Sequence, residues 1–101
     1  MILVRTGGRY NVLMYKVILK KQATKYYQKV NIKMAKLLDL VFSELEETPH
    51  KGPNIKSLQG KLKGLWRYRL KGLRIVYEII ENDKEVNVIL IMPRGDVYKK
   101  L

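Results

Sequence analysis

The chain has 101 residues, which suffices for one domain with a single hydrophobic core. It carries 21 Lys and Arg residues against nine acidic ones, and the resulting net charge of +12 attracts polyanions or acidic proteins. Cysteine is absent and the longest apolar runs are too short to span a bilayer, which excludes disulfides, a thiol nucleophile and a transmembrane helix. We therefore expect a soluble cytoplasmic protein. The residue pattern contains no typical cofactor or metal site, so none is predicted.

Residues 1–13 are predicted to be an N-terminal extension in front of a single domain formed by residues 14–101. A breaker cluster, Thr6–Gly8, lies inside the extension, and a second methionine, Met14, stands just before a strand pattern. We expect the extension to be non-native or poorly ordered. The alternative is a short strand added at the edge of the sheet.

Strand and helix patterns begin at Tyr15. Tyr15–Leu19 has strand composition, and residues 21–30 place apolar side chains on one helical face. Asn31 is expected to cap a second helix that ends near Glu47. The apolar residues of that helix recur at helical spacing: Met34, Leu37, Leu38, Val41, Phe42 and Leu45. Pro49–Gly60 is predicted to be a loop because it contains two prolines and two glycines.

Three strands are predicted in the second half of the chain. They cover Leu65–Leu70, Leu73–Ile80 and Glu85–Met92, with turns at Lys71–Gly72 and Glu81–Lys84. Strands grouped together after grouped helices indicate an α+β domain. We predict an N-terminal strand, a two-helix hairpin and a three-strand antiparallel meander, with the helices packed on one face of the sheet.

Alternation along the meander strands separates an apolar face from a basic face. Arg67 and Arg69 share one face of the first strand, and Arg74 lies on the same face of the next strand. The apolar set, which includes Trp66 and Tyr68, is expected to meet the helices, so the arginines should lie on the open face. Cross-strand pairing should bring the three arginines together.

Arginines at matched positions on a sheet face are costly to bury and well suited to bind phosphate. The alternative interpretation is a solvated face on which Arg stems cover apolar surface. Lys61 and Lys63, just before the first strand, are candidates for non-specific phosphate contacts or for solubility alone. His50 is the only histidine, and we expect it to be a solvated loop residue rather than an acid–base catalyst.

Four segments carry a resemblance to a known family: Tyr15–Val17, Leu58–Arg69, Leu73–Ile79 and Pro93–Lys99. Together they resemble the RelE/ParE toxin superfamily over residues 14–101. The run Leu-x-Gly, then Leu-Trp-Arg-x-Arg, then Leu-Arg-Ile-x-Tyr is specific to that superfamily. The closing Pro-Arg-Gly-x-x-Tyr-Lys is similar to RelE-type members.

The resemblance implies a toxin of a type II toxin–antitoxin pair. RelE-type members bind the ribosomal A site and cut the mRNA there without a metal ion. The ribose 2′-oxygen attacks the neighbouring phosphate and leaves a 2′,3′-cyclic phosphate and a 5′-hydroxyl end. By resemblance, the catalytic positions are Arg67, Arg69, Arg74, Arg94 and Tyr98, and the RNA-binding lysines are Lys61, Lys63, Lys71 and Lys99.

The resemblance also gives roles to two residues near the chain end. Arg94 is expected to support the leaving oxygen, and Tyr98 to stack on the substrate base and assist removal of the 2′-hydroxyl proton. The family pattern has Lys at the positions of Arg67 and Arg69, and arginine hardly gives up a proton near neutral pH. Pro93 stands where some relatives carry His. Proton transfer therefore falls on Tyr98, and we expect slow chemistry that depends on ribosomal positioning.

Partners follow from the same resemblance. A RelB-like cognate antitoxin is expected to lie over the basic face and along the helices, and the ribosome with its mRNA is the expected target. No membrane contact is expected, and DNA binding is expected only through the antitoxin. Two rival interpretations are a ParE-like inhibitor of DNA gyrase with the same fold, and a basic RNA-binding protein without catalysis.

Overall fold

The computed structural model describes the backbone of residues 3–5 and the backbone and side chains of residues 14–93. Arg94, Tyr98 and Lys99 lie outside the described residues, so their roles stay predictions. The described strands are β1 (Leu3–Arg5), β2 (Lys16–Leu19), β3 (Ile55–Ser57), β4 (Trp66–Leu70), β5 (Leu73–Ile80) and β6 (Glu85–Pro93), and the helices are α1 (Lys21–Lys29) and α2 (Ile32–Glu47). The predicted α+β class is confirmed.

The strands form one sheet in the order β1-β2-β6-β5-β4-β3. Strand β2 runs parallel to β6, and the other neighbouring pairs are antiparallel. The predicted meander of β4, β5 and β6 is therefore confirmed. The predicted loop at Pro49–Gly60 is wrong for Ile55–Ser57, which pair with β4 as an edge strand. Three residues are too few to show a strand pattern in sequence, so pairing with β4 decides their conformation.

Residues Leu3–Arg5 pair antiparallel with β2, as in the edge-strand alternative for the N-terminal extension. Strand β2 therefore has a neighbour on each side, β1 on one and β6 on the other.

Helix α2 begins where the sequence predicts. The Asn31 side chain accepts a hydrogen bond from the backbone N–H of Met34 at 2.8 Å, which caps the helix. The helix ends at Glu47, and the Thr48 N–H donates to the Glu44 carbonyl. Among the described residues, neither helix is long and apolar enough to cross a membrane.

The main core lies between the helices and one face of the sheet. Tyr68 is 4% exposed and Trp66 packs against the same core, so the prediction that both rings are core residues is confirmed. Fully burying one large aliphatic or aromatic side chain contributes about 1.5–3 kcal/mol. The fully buried set comprises Val17, Leu19, Leu38, Val41, Phe42, Leu45, Ile75, Tyr77, Val86, Val88 and Ile91, among others.

The other face of the sheet carries a second, smaller apolar cluster. Val76 and Leu90 are buried there, with Leu58, Leu65, Ile89 and Met92 packed against them. A bulge next to Val76 and Tyr77 shifts the register with β6, so that Val88 and Ile91 both face the helices. The open face is therefore partly apolar, whereas the alternation of β4 and β5 predicted a face dominated by arginines.

Helix α1 is fastened to β6 beyond the end of β2. The side-chain amide of Gln22 donates to the Ile91 carbonyl at 3.0 Å, and the Ile91 N–H donates to Gln22 Oε1 at 2.9 Å. Strand β2 pairs with β6 only as far as Val88. Gln22 therefore takes the place of a strand partner and fixes the first turn of α1 beside the last residues of β6.

Candidate functional site

Two arginines stand directly opposite each other on the open face. Arg69 of β4 pairs in register with Arg74 of β5, and Arg67 lies two residues along β4 opposite Val76. The register places the three arginines on the same face of neighbouring strands, as the alternation predicts. Arg69 is exposed, whereas Arg74 is only 6% exposed. Like charges directly opposite each other oppose folding, so this arrangement stores a cost that a bound anion would relieve.

The loop before β3 positions Arg67. Arg67 Nη1 donates to the Asn54 carbonyl at 3.1 Å, and the Arg69 backbone N–H donates to the same carbonyl at 3.0 Å. One carbonyl therefore extends the pairing of β3 with β4 and also orients a guanidinium group. The sequence held no signal for this contact, because its acceptor is a backbone atom of a residue thirteen positions away.

Lys71 lies at the same end of the sheet as the arginine pair. Lys71 and Gly72 form the β4–β5 turn, with φ values of 40° and 77°. Positive φ at both positions is the conformation that twists a two-residue hairpin correctly, and glycine adopts it without strain. Lys71 is exposed in this turn, two residues along the chain from Arg69.

Lys61 and Lys63 lie beyond the other end of β4. Lys61 belongs to a single 3-10 turn, Gly60–Leu62, and both lysines are exposed. The Leu58 N–H donates to the Leu65 carbonyl and closes this segment, and both leucines pack on the open-face cluster. Lys71 therefore lies at the end of β4 that carries the Arg69–Arg74 pair, whereas Lys61 and Lys63 lie at the other end.

The acidic residue of β5 on this face stands away from the arginine pair. Glu78 lies four residues from Arg74 and opposite Asn87, whose side-chain amide donates to Glu78 at 3.2 Å. Four strand residues span about 13 Å. Charge on the open face is therefore separated, with the cations gathered toward the Lys71–Gly72 turn.

Three tyrosine hydroxyls on the helix-facing side of the sheet donate hydrogen bonds to residues outside the strands. Tyr68 donates to Glu44 at 2.8 Å, Tyr77 to the Pro49 carbonyl at 2.7 Å, and Tyr15 to Glu81 at 2.8 Å. Burial is the largest cause that raises the pKa of each of these phenols. Tyr68 and Tyr77 alternate with Arg69 and Arg74 along β4 and β5 and therefore lie on the opposite face of the sheet. All three phenols stay protonated near neutral pH, so they hold the fold together rather than serve as bases.

His50 lies at the opposite end of β5 from the arginine pair. Its Nε2 is 3.0 Å from Glu81 Oε1, and its ring makes edge contacts with Tyr15 and Trp66. The Tyr15 hydrogen bond is the largest cause that lowers the pKa of Glu81. The prediction of a solvated loop residue is only partly right, because the imidazole is 43% exposed yet packed between two rings. In the part of the chain that the structure describes, no three His, Asp or Glu residues group as a metal site.

Comparison with known proteins identifies the fold. An archaeal RelE–RelB complex from Pyrococcus horikoshii OT3 is 26% identical with a TM-score of 0.68, covering 81% of this chain and 97% of that one. The toxin–antitoxin complex RelBE2 from Mycobacterium tuberculosis is 22% identical with a TM-score of 0.69, covering 80% and 99%. A mutant E. coli toxin RelE in the free state is 23% identical with a TM-score of 0.69, covering 85% and 92%.

Sequence comparison with curated proteins gives no significant match. A family model does match: the ParE toxin of type II toxin–antitoxin systems, parDE, covers residues 17–98. That span includes all but the first residue of β2, both helices and the strands that carry Arg67, Arg69 and Arg74. The chain therefore belongs to the ParE toxin family of type II toxin–antitoxin systems, within the RelE/ParE superfamily that its sequence motifs resemble.

Proposed function

We propose that this toxin is a ribosome-dependent mRNA endoribonuclease that acts in the cytoplasm and inhibits translation. The observation that carries the proposal is the register of Arg69 and Arg74, which gathers cationic groups on one sheet face with Arg67 beside them. A cluster of guanidinium groups suits a phosphate whose negative charge increases during the reaction.

The RNA supplies its own nucleophile in this mechanism. The ribose 2′-oxygen attacks the adjacent phosphorus, the bond to the 5′-oxygen breaks, and a 2′,3′-cyclic phosphate forms. The protein must hold the RNA in line and stabilise the added charge on the phosphate. Arg69 is exposed and able to reach the RNA, while the Asn54 carbonyl holds Arg67 in place.

Two proton transfers complete the proposed reaction. In this scheme the ionised Tyr98 phenolate takes the 2′-hydroxyl proton and becomes the neutral phenol, and the departing 5′-oxygen, supported by Arg94, takes a proton from solvent water to become the 5′-hydroxyl. Arginine stays charged near neutral pH, so Arg67, Arg69 and Arg74 stabilise charge in this scheme and accept no proton.

A RelB-like antitoxin is the proposed protein partner. Solved structures with this fold include toxin–antitoxin complexes from Mycobacterium tuberculosis and Pyrococcus horikoshii. An acidic segment laid over the open face would neutralise part of the +12 charge and cover the arginines. The ribosome and its mRNA are the proposed targets.

The test is cleavage of a defined mRNA on programmed ribosomes, with the 5′ ends mapped by primer extension. Wild type is expected to cut within the A-site codon and to leave the same mRNA intact without ribosomes. The double variant Arg67→Gln/Arg69→Gln is expected to cut about 100-fold more slowly or worse. Lys51→Gln/Lys84→Gln, which removes equal charge from the other end of the sheet, is the matched control. Equal cleavage by the two double variants would overturn the assignment of the site.

Inhibition of DNA gyrase is the second candidate function, and the match to the ParE family model favours it. A supercoiling assay with the same preparation separates the two. Inhibited supercoiling with intact ribosome-bound mRNA would establish the gyrase-directed function. Cleaved mRNA with normal supercoiling would exclude it. RNA binding without either effect would leave a non-catalytic RNA-binding protein.

A further inference from the structure

Helix α1 carries a row of lysines on its exposed surface. Lys21, Lys25 and Lys29 are spaced four residues apart and all three are exposed; we call them the lysine ladder. Successive lysines are about 6 Å apart along the helix axis. The nine residues of α1 include no Asp or Glu, so no acidic residue of this helix pairs with the ladder.

The first turns of α2, which follows α1 directly in the chain, add two further exposed lysines. Lys33 and Lys36 are exposed, and the first turn of α2 contains no acidic residue. Cations near a helix N-terminus oppose the helix dipole, and like charges four residues apart on a helix oppose folding. Asp39, the first acidic residue of α2, accepts a hydrogen bond from the Tyr27 hydroxyl. The basic surface thus carries a folding cost that an external anion would relieve.

The ladder begins beside the arginine site. Gln22, in the first turn of α1, is hydrogen-bonded to Ile91, and Arg74 pairs in register with the next residue, Met92. The first turn of α1 and Arg74 therefore flank the same short stretch of β6. Because α1 packs on the helix-covered face and Arg74 lies on the open face, a polyanion bound at one surface can reach the other around this stretch.

The chemistry of the ladder favours phosphate contacts without base recognition. The two tyrosines of α1, Tyr26 and Tyr27, are partly buried where they pack against the main core, so neither ring is fully available for base stacking. Proteins that hold single strands combine basic grooves with such aromatic platforms. Lysine acts on phosphate as a flexible point charge. A row of lysines on one helix, without a fully exposed aromatic ring beside it, therefore matches the phosphate backbone of a duplex better than a single strand.

We propose that the lysine ladder is a second RNA-binding surface, which holds the phosphate backbone of a double-helical RNA segment next to the strand at the arginine site. The inference rests on the proposed RNA-directed function and adds to it a partner outside the cleaved strand. It assigns a role to Lys21, Lys25 and Lys29 that is separate from the chemistry.

The test is fluorescence anisotropy with a labelled RNA duplex whose riboses are 2′-O-methylated, so that the probe cannot be cut by its own 2′-oxygen. The ladder variant is Lys21→Gln/Lys25→Gln/Lys29→Gln. The control removes the same charge from exposed lysines at the far end of the sheet, Lys16→Gln/Lys51→Gln/Lys84→Gln. Circular dichroism and thermal unfolding of both variants verify that they fold.

The control is expected to keep most of the wild-type affinity, and the ladder variant to bind roughly tenfold more weakly. The slope of log K against log salt should fall by about 2 to 3 in the ladder variant, because each phosphate contact contributes close to one unit. Equal affinities and slopes for the two variants would overturn the proposal and leave this face for another partner, such as an acidic protein segment. Ladder-dependent binding of a DNA duplex but not of the RNA duplex would also overturn it.

The RNA-binding role of the lysine ladder and the endoribonuclease activity can be tested separately, because each proposal fails with a different result. If wild type cuts ribosome-bound mRNA while the ladder variant binds the duplex as well as the control does, only the ladder assignment is wrong. If wild type cuts nothing while duplex binding depends on the ladder, the RNA-binding surface is supported and the endoribonuclease proposal fails.

Discussion

Arg69 and Arg74 occupy directly opposite positions on β4 and β5, one exposed and the other 6% exposed. Like charges in directly opposite positions are destabilising, on a scale of about 0.2–1 kcal/mol for such cross-strand pairs. A sheet that served only as a scaffold would gain stability by replacing one of them. The pair therefore marks a place where stability and function are expected to conflict.

The variant Arg69→Gln tests this conflict. We expect its free energy of unfolding in low salt to exceed that of wild type by about 0.2–1 kcal/mol, because the repulsion with Arg74 is removed. The gain should shrink as salt screens the pair. Urea unfolding at two salt concentrations measures it, with Lys51→Gln as the control for loss of one surface charge. A variant less stable than wild type in both salts would show that Arg69 stabilises the fold.

Removal of the Tyr77 hydroxyl should lower the free energy of unfolding more than removal of the Tyr68 hydroxyl. Tyr77→Phe leaves the carbonyl of buried Pro49 without its 2.7 Å hydrogen bond, and we expect a loss of about 1–3 kcal/mol. Tyr68→Phe releases the carboxylate of exposed Glu44, which water can solvate, so about 0.5–1.5 kcal/mol is expected. Urea unfolding of both variants gives the order, and the reverse order would contradict this account.

Stability should fall in alkaline solution because of Tyr77. Burial raises the pKa of this phenol well above its usual 10.0. Its contribution is complete below pH 10 and is lost as pH rises further, because the unfolded chain ionises first while the folded phenol stays protonated. Tyr77→Phe should therefore show a shallower decline of unfolding free energy above pH 10 than wild type. Tyr26→Phe controls for removal of a tyrosine, and identical slopes for wild type and Tyr77→Phe would rule out this origin.

Gln22 is expected to contribute more to the free energy of unfolding than its partly exposed position on α1 suggests. Gln22→Ala removes both hydrogen bonds to the Ile91 backbone, at about 1–3 kcal/mol for the two. Hydrogen exchange should show faster exchange of the Ile91 amide in the variant, since that N–H loses its acceptor. Gln28→Ala, which changes an exposed glutamine six residues further along the same helix, is the matched comparison. Equal exchange at Ile91 in the two variants would mean that Gln22 does not secure this edge of β6.

Local patterns in the sequence located most of the fold. The helical spacing from Met34 to Leu45, with Asn31 before it, identified α2 and its cap, and alternation identified both faces of β4 and β5. These features depend on neighbours within a few residues. The predicted two-residue turn at Lys71–Gly72 also indicated that Arg74 lies near Arg67 and Arg69, and the structure adds the exact pairing of Arg69 with Arg74.

Contacts between distant segments could not be predicted in the same way. Strand β3 exists because β4 pairs with it, and the Asn54 carbonyl that orients Arg67 belongs to the segment leading into that strand. The burial of Arg74 depends on how residues from other segments, such as Leu90, pack on the open face. Alternation assigned Arg74 to the correct face, but no local pattern could show how deeply its side chain lies there.

The most direct test of the central claim is the chemical identity of the mRNA ends produced on ribosomes. After incubation with wild-type toxin, mass spectrometry of the upstream fragment is predicted to show a 2′,3′-cyclic phosphate at the A-site codon. The same fragment should be strongly reduced with Arg67→Gln/Arg69→Gln and unchanged with Lys51→Gln/Lys84→Gln. Intact mRNA with folded wild-type protein, or the same yield from the arginine variant, would contradict the claim that this sheet face cleaves RNA.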